Sequence, residues 1–129
     1  MNEPHFLTLE QVKLLHKESI NRFGGTHGIR EPSLFEGAVY HPRNLYYYNP
    51  TTDLFDIAAA YAFHIAQAQS LLDGNKRTGM AAALVFLDCN SVEISEATEP
   101  LYEAMIAIAE RRMDKNQLAD LLRSLSKNK

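Results

Sequence analysis

Two runs, LFDIAAAYAFHIAQAQ at 54–69 and TGMAAALVFLDC at 78–89, constrain the fold more than anything else in the chain. Each is apolar nearly all the way round at helical pitch, as a helix buried on most sides must be. His, Gln or Asp interrupts the longest apolar stretches, so none reads as a membrane span. The pair predicts two central helices joined by a tight connection. The rest of the chain must then supply helices to cover them.

The flanking signals are helical. Thr8, followed by Leu9, Val12, Leu15, Ser19 and Phe23, gives an N-cap and a three-to-four-residue spacing that Gly24-Gly25 stops. Gly28 and Pro32-Ser33 punctuate a loop before a short helix, Leu34 to Tyr40, ending at Pro42. Residues 43–50, RNLYYYNP, join three β-favouring tyrosines to an Asn-Pro turn signal and are expected to form a loop or a small hairpin. Thr51-Thr52-Asp53 is a capping cluster for the first central helix. Residues 91–97, SVEISEA, read as an irregular link or a very short strand. Pro100 lies in the first turn of a helix from about Thr98 to Arg112, with Leu101, Met105, Ile108 and Ala109 on one face. Asn116, Leu118, Leu121, Leu122 and Leu125 mark a last amphipathic helix before the polar tail SKNK. The expectation is an all-α, six-helix single domain over residues 1–129, long enough to bury a core unaided.

Charge and cysteine usage narrow the functional classes. A net charge of −3 with no long basic run argues against broad nucleic-acid binding, which needs a basic face. Cys89 is the only cysteine, so no intrachain disulfide forms, and it is expected to serve packing in a reducing compartment. The N-terminus MNEPHFLTLE lacks a basic region followed by an apolar one, so no signal peptide is read and a cytoplasmic location is expected. The histidines show no metal-ligand spacing, and no cysteine pair points to zinc.

The connection between the central helices, QSLLDGNKRTG at 69–79, carries the chemistry. Asp73 or Asn75 can cap the second central helix, and Gly74 permits a positive φ. Lys76 and Arg77 then fall in or beside the first turn, where cations oppose the helix dipole at a cost of roughly 0.3–1 kcal/mol each when exposed. A sequence chosen for stability alone would favour acids there. Free N–H groups, a glycine, a lysine and an arginine fork together match a phosphate. Asp73 beside it could hold Mg2+, which prefers one or two carboxylates plus phosphate oxygens. The competing explanation is an Asp-Gly turn with two solvated cations. A Walker-type loop is excluded by the missing upstream glycine.

At these residues the chain resembles the Fic/Doc family, and within it the short Doc-like toxins of toxin–antitoxin pairs. The family motif runs His-Pro-Phe-x-Asp/Glu-Gly-Asn-Gly/Lys-Arg in a loop between two central helices. Residues 69–77 follow it as Gln-Ser-Leu-Leu-Asp-Gly-Asn-Lys-Arg, and the FGG and GIRE segments and both central helices share the likeness. The resemblance implies a six-helix fold with a site for ATP and Mg2+. Lys76 replaces the second motif glycine, and Met80 stands where members that transfer AMP carry a second arginine. Both departures look like the Doc-like branch, which transfers the γ-phosphate to a hydroxyl of a target protein. AMP transfer is the alternative. By position, Asp73 would coordinate Mg2+, while Gly74, Asn75, Lys76 and Arg77 would hold phosphates. The segment 43–50, with Tyr46, Tyr47 and Tyr48, would correspond to the flap that docks a target. The implied partners are an antitoxin-like protein in the groove beside the loop and a target in the translation machinery.

The departure with most consequence is Gln69, which stands where the family histidine takes the proton from the target hydroxyl. An amide can orient a hydroxyl or a water but has no useful basicity. Losing a positioned base typically removes ~10²–10⁴ in rate. His64 lies five residues earlier, roughly 140° around the helix, and is expected to pack. His41 is the histidine that could approach the site, whereas nothing ties His5, His16 or His27 to the loop. Three readings compete: a nucleotide-binding Doc-like protein with impaired transfer, a non-enzymatic binding module using the same groove, and an active toxin with another base.

Overall fold

The computed structural model describes residues 3–95 and 98–127. It contains six α-helices: α1 Leu9–Phe23, α2 Pro32–Tyr48, α3 Leu54–Ala68, α4 Asn75–Cys89, α5 Thr98–Ala109 and α6 Lys115–Leu125. The expected all-α architecture and buried central pair are both present. α3 and α4 pack against each other most heavily, α2 and α6 cover α3, and α1 and α5 cover α4. Ile57 through Ala62 are buried without a break, which only a helix covered on several sides allows. The two central helices approach so closely at Gly79 that a Cβ there would lie 2.7 Å from the Ala62 carbonyl oxygen. No helix among the described residues is long and apolar enough to cross a membrane.

Local sequence sets most helix starts. Thr8, Asp53 and Asp114 each cap a helix in a reciprocal box with the third residue onward, Gln11, Asp56 and Gln117. α6 is fastened to the start of α3 by Arg123, whose guanidinium lies 2.9 Å from carboxylate oxygens of both Asp53 and Asp56. Burial works against the charge of Asp53, but the Asp56 N–H and Arg123 outweigh it and hold its carboxyl below the usual range.

The structure corrects three local expectations. The helix expected to stop at Pro42 runs on to Tyr48, so residues 43–48 are neither loop nor hairpin. Pro42 lacks one backbone donor, normally a cost of about 3 kcal/mol inside a helix. Here the ring is buried and the turns beyond it are held by packing: Phe6 lies 5.8 Å from the Tyr46 ring and 6.1 Å from that of Tyr47. α5 ends at Ala109, and Ala109 is exposed; Ala104 and Ala107 share the buried face instead. Arg111 adopts φ 63 and closes the helix, with its own N–H to Ile108 O at 3.1 Å and Arg112 N–H to Ala107 O at 2.7 Å. This is a Schellman ending built without its usual glycine. Cys89 is exposed rather than packed, because it is the last residue of α4 and lies beyond the covered face.

In the link, Ile94 forms a single antiparallel bridge to Ser126, and residues 96–97 lie outside the described part. The N-terminal segment is stitched across the bundle. His5 and Asn90 exchange hydrogen bonds at 2.8 and 3.0 Å, and Leu7 N–H donates to the Tyr61 hydroxyl at 2.9 Å. Burial pushes the Tyr61 phenol up to about 12, so it stays neutral.

Candidate functional site: the loop between α3 and α4

α3 ends at Gln69, which takes a left-handed conformation at φ 50. Its side-chain amide donates back to the Ala66 carbonyl at 2.8 Å, satisfying one of the carbonyls a helix end leaves unpaired. Ser70 and Leu71 are fully buried beneath the loop. The Asn75 amide closes it: Oδ1 accepts from Leu71 N–H at 3.0 Å and Nδ2 donates to Leu71 O at 3.1 Å. Neither Asp73 nor Asn75 caps α4, contrary to expectation. The cap residue is Gly74 at φ 76, with no side-chain capping bond. Asp73 instead accepts from Gly74 N–H at 2.9 Å and from Thr26 N–H at 3.2 Å. The first turn of α4 thus keeps its dipole end uncapped, with Lys76 exposed and Arg77 half-buried beside it.

A segment that sequence reasoning left without a role lies over this loop. Residues 24–31, between α1 and α2, pair with it through the Ile29–Leu71 bridge, Leu72 N–H to Gly28 O at 3.1 Å, and Arg30 and Glu31 N–H to Ser70 O at 2.8 and 3.0 Å. The Arg30 guanidinium donates to the Gln69 carbonyl. Arg77 donates to Gly24 O at 2.9 Å, with its guanidinium 5.6 Å from the Phe23 ring centre. Gly25 and Gly28 sit at φ 118 and 127, and Cβ atoms there would meet Asp73 Oδ2 at 2.6 Å and Leu72 Cδ1 at 2.7 Å. His16 also belongs to this site, against expectation. It is buried on α1 and its Nε2 hydrogen-bonds the Asp73 carbonyl at 2.8 Å. The signal was available, because Val12, His16, Ser19 and Ile20 share the inward stripe of α1.

Other candidates lie elsewhere. Tyr46, Tyr47 and Tyr48 end α2 next to the start of α3, whereas the loop follows the other end of α3. A 15-residue helix separates the two regions by roughly 20 Å. Tyr47 is held by Glu3, which raises its phenol, and by Arg43, 5.7 Å from its ring centre. Tyr48 is 92% exposed. His41 does not turn toward the loop but stacks on His64 with ring centres 3.6 Å apart. His64 Nε2 lies 2.9 Å from Lys115 Nζ. Burial, then Lys115 and His41, bring the His64 imidazole down to about 3, so it is neutral at physiological pH.

Beside the loop, α1, α4 and α5 enclose a groove of about 1060 Å3. Its floor is apolar, with Leu15, Met80, Leu84, Leu101 and Met105, and its rim carries Arg22, Lys76 and Arg77 against the single acid Glu18. Phe23 and Tyr102, 65% and 67% exposed, flank it. Among the described residues no group of three His, Cys, Asp or Glu side chains could cage a metal. The one carboxylate beside an uncapped helix start suits Mg2+ shared with phosphate oxygens.

Known proteins are similar to this chain in sequence. The profile of the Fic/DOC family matches residues 6–87. The chain is 32% identical over 116 residues to the protein kinase doc of Escherichia phage P1, covering 90% of this chain and 91% of that one. It is 39% identical over 74 residues to the toxin Doc of Mycolicibacterium smegmatis, covering 57% of each. With the motif loop held between two buried helices and the match running over most of its length, the chain belongs to the Fic/DOC family.

Proposed function

We propose that this chain is a Doc-like toxin homologue that binds ATP with Mg2+ at the 69–77 loop and is impaired in phosphoryl transfer to a target hydroxyl. The observation that carries this reading is the contrast within one loop. Asp73, Lys76, Arg77 and the uncapped start of α4 are assembled, while Gln69 turns its amide onto Ala66. Backbone N–H groups of the first turn and the two cations would hold the phosphates, with Asp73 as the carboxylate for Mg2+. Asn75 would act by keeping the loop in shape through Leu71. Bound there, Mg2+ would supply charge neutralisation at the phosphate oxygens.

Transfer would form a bond from the target oxygen to the γ-phosphorus and break the bridge to the β-phosphate, and the hydroxyl proton must leave. Gln69 cannot take it. Residual turnover would come from positioning and charge alone. The nearby edge that suits a target segment is Ile29, not the tyrosines. Gly28 O and Arg30 N–H bond the loop, and in an antiparallel ladder that turns the N–H and C=O of Ile29 the other way.

The groove supports the partner in the same reading. Its apolar floor and mostly cationic rim suit an amphipathic antitoxin helix with acidic flanks. This also favours a second reading, in which the groove alone provides function as a binding module. The test is label transfer in cell extract from ATP carrying α- or γ-label, with the natural protein and Gln69→His. γ-label moved only by Gln69→His supports the proposal. α-label would indicate AMP transfer, transfer by the natural protein would indicate another base, and no transfer by either would leave the binding module.

A further inference from the structure

We propose that residues 23–26 are an internal stand-in for the ligand, a strap that covers Asp73 and Arg77 and must be displaced for a polyphosphate to bind. The inference rests on the phosphate-site reading above and adds a regulatory step to it. Two of the groups that would meet the ligand, Arg77 and Asp73, are each paired with a strap group of the polarity the ligand would bring. Arg77, which would meet phosphate oxygens, is offered the Gly24 carbonyl at 2.9 Å and the negative face of Phe23. Asp73, which would meet a cation, is offered the Thr26 N–H at 3.2 Å. Lys76 is exposed and has no such cover among the described residues, so it is the point of first encounter.

The strap hangs from the end of α1, where Gly24 N–H donates to Ile20 O at 2.8 Å, and is separate from residues 28–31. Gly24 and Gly25 take φ of 88 and 118, regions closed to other residues at little cost, and Gly28 at 127 marks the far end. Beyond Gly28 the chain is bonded to the loop backbone through Arg30 and Glu31, whose acceptor, Ser70 O, is not a ligand group. A ligand can therefore displace 23–26 while 28–31 stays paired.

The test uses the full chain with Mg2+ and inorganic pyrophosphate, reading affinity by calorimetry and amide exchange by NMR. Pyrophosphate should speed exchange of the Thr26 amide while leaving Arg30 and Glu31 protected. Phe23→Ala, which removes an exposed ring and one partner of Arg77, should bind pyrophosphate about two- to fivefold more tightly. Binding that leaves the Thr26 amide unchanged or more protected, with equal affinity in both proteins, overturns the strap and leaves the phosphate site standing. If neither protein binds, the phosphate site itself fails and the strap falls with it. Binding by Phe23→Ala alone would be the strongest support.

Discussion

The two central helices begin in opposite ways. α3 starts with everything a helix start can use: Asp53 in a reciprocal box with Asp56, an acid in the first turn, and Arg123 bridging both carboxylates from α6. α4 starts with a glycine cap, no side-chain bond, no acid in the first turn, and two cations there. A box and a favourable first-turn charge are together worth about 1–2 kcal/mol. α4 therefore gives up stability that α3, which starts at Leu54, collects earlier in the same fold. The α4 start is the end that the proposed phosphate site would use, and its missing cap and acids are what that proposal accounts for.

Four experiments bear on these helices and the loop between them. Arg77→Ala should weaken pyrophosphate binding by about ten- to a hundredfold, the scale of a charge-assisted hydrogen bond, with a smaller change in stability. Equal affinity would mean that the α4 start is not an anion site. The second concerns acid. His64 on α3 has its pKa brought from 6.5 to about 3, so the unfolded chain takes up a proton that the folded chain refuses. Stability is full above about 6.5 and falls as pH drops from there toward 3, by less than the full linkage value because the ring is only partly shielded from solvent. Thermal melts across that window should show the decline, and His64→Gln should reduce it, leaving the part contributed by His41, whose imidazole is also lowered by burial and Lys115. A pH-independent melt would contradict the buried, cation-flanked His64.

Smaller effects address the caps directly. Asp53→Ala should cost about 1 kcal/mol by denaturant unfolding, through loss of the box and of the half-exposed Arg123 pair. The smallest is the most discriminating. Lys76→Glu puts an acid where the dipole favours it and should stabilise the fold by about 0.3–1 kcal/mol while weakening pyrophosphate binding. If it destabilises instead, Lys76 is held by folding rather than by a ligand.

What could be read from the chain was what short-range chemistry decides. Thr8 and Asp53 announced their helices because a cap needs only the next three residues, and the apolar runs announced α3 and α4 by pitch. The motif loop was legible down to Gly74. What escaped depended on distant partners. Pro42 reads locally as a stop, yet α2 passes through it because its ring is buried and Phe6 packs on the turns beyond. Arg111 gives no hint of a left-handed ending. The cover of the loop by 24–31, and the tie from His16 to Asp73, join residues far apart in sequence, 57 positions in the case of His16. Periodicity could have turned His16 inward but not named its acceptor.

The ring formed by Asn75 and the backbone of Leu71 has a kinetic meaning. Its two hydrogen bonds fix the chain between α3 and α4 from within the loop itself. The conformational entropy of shaping that loop is lost once, during folding, and is not lost again at each encounter. On the proposed reading, arrival of an anion would then need diffusion to Lys76 and exchange of a few contacts, without a search through loop conformations. Its association rate should fall with rising salt, as steering by the exposed cation is screened. Asn75→Ala would leave every charge of the site in place while slowing that arrival and weakening binding by the cost of ordering the loop.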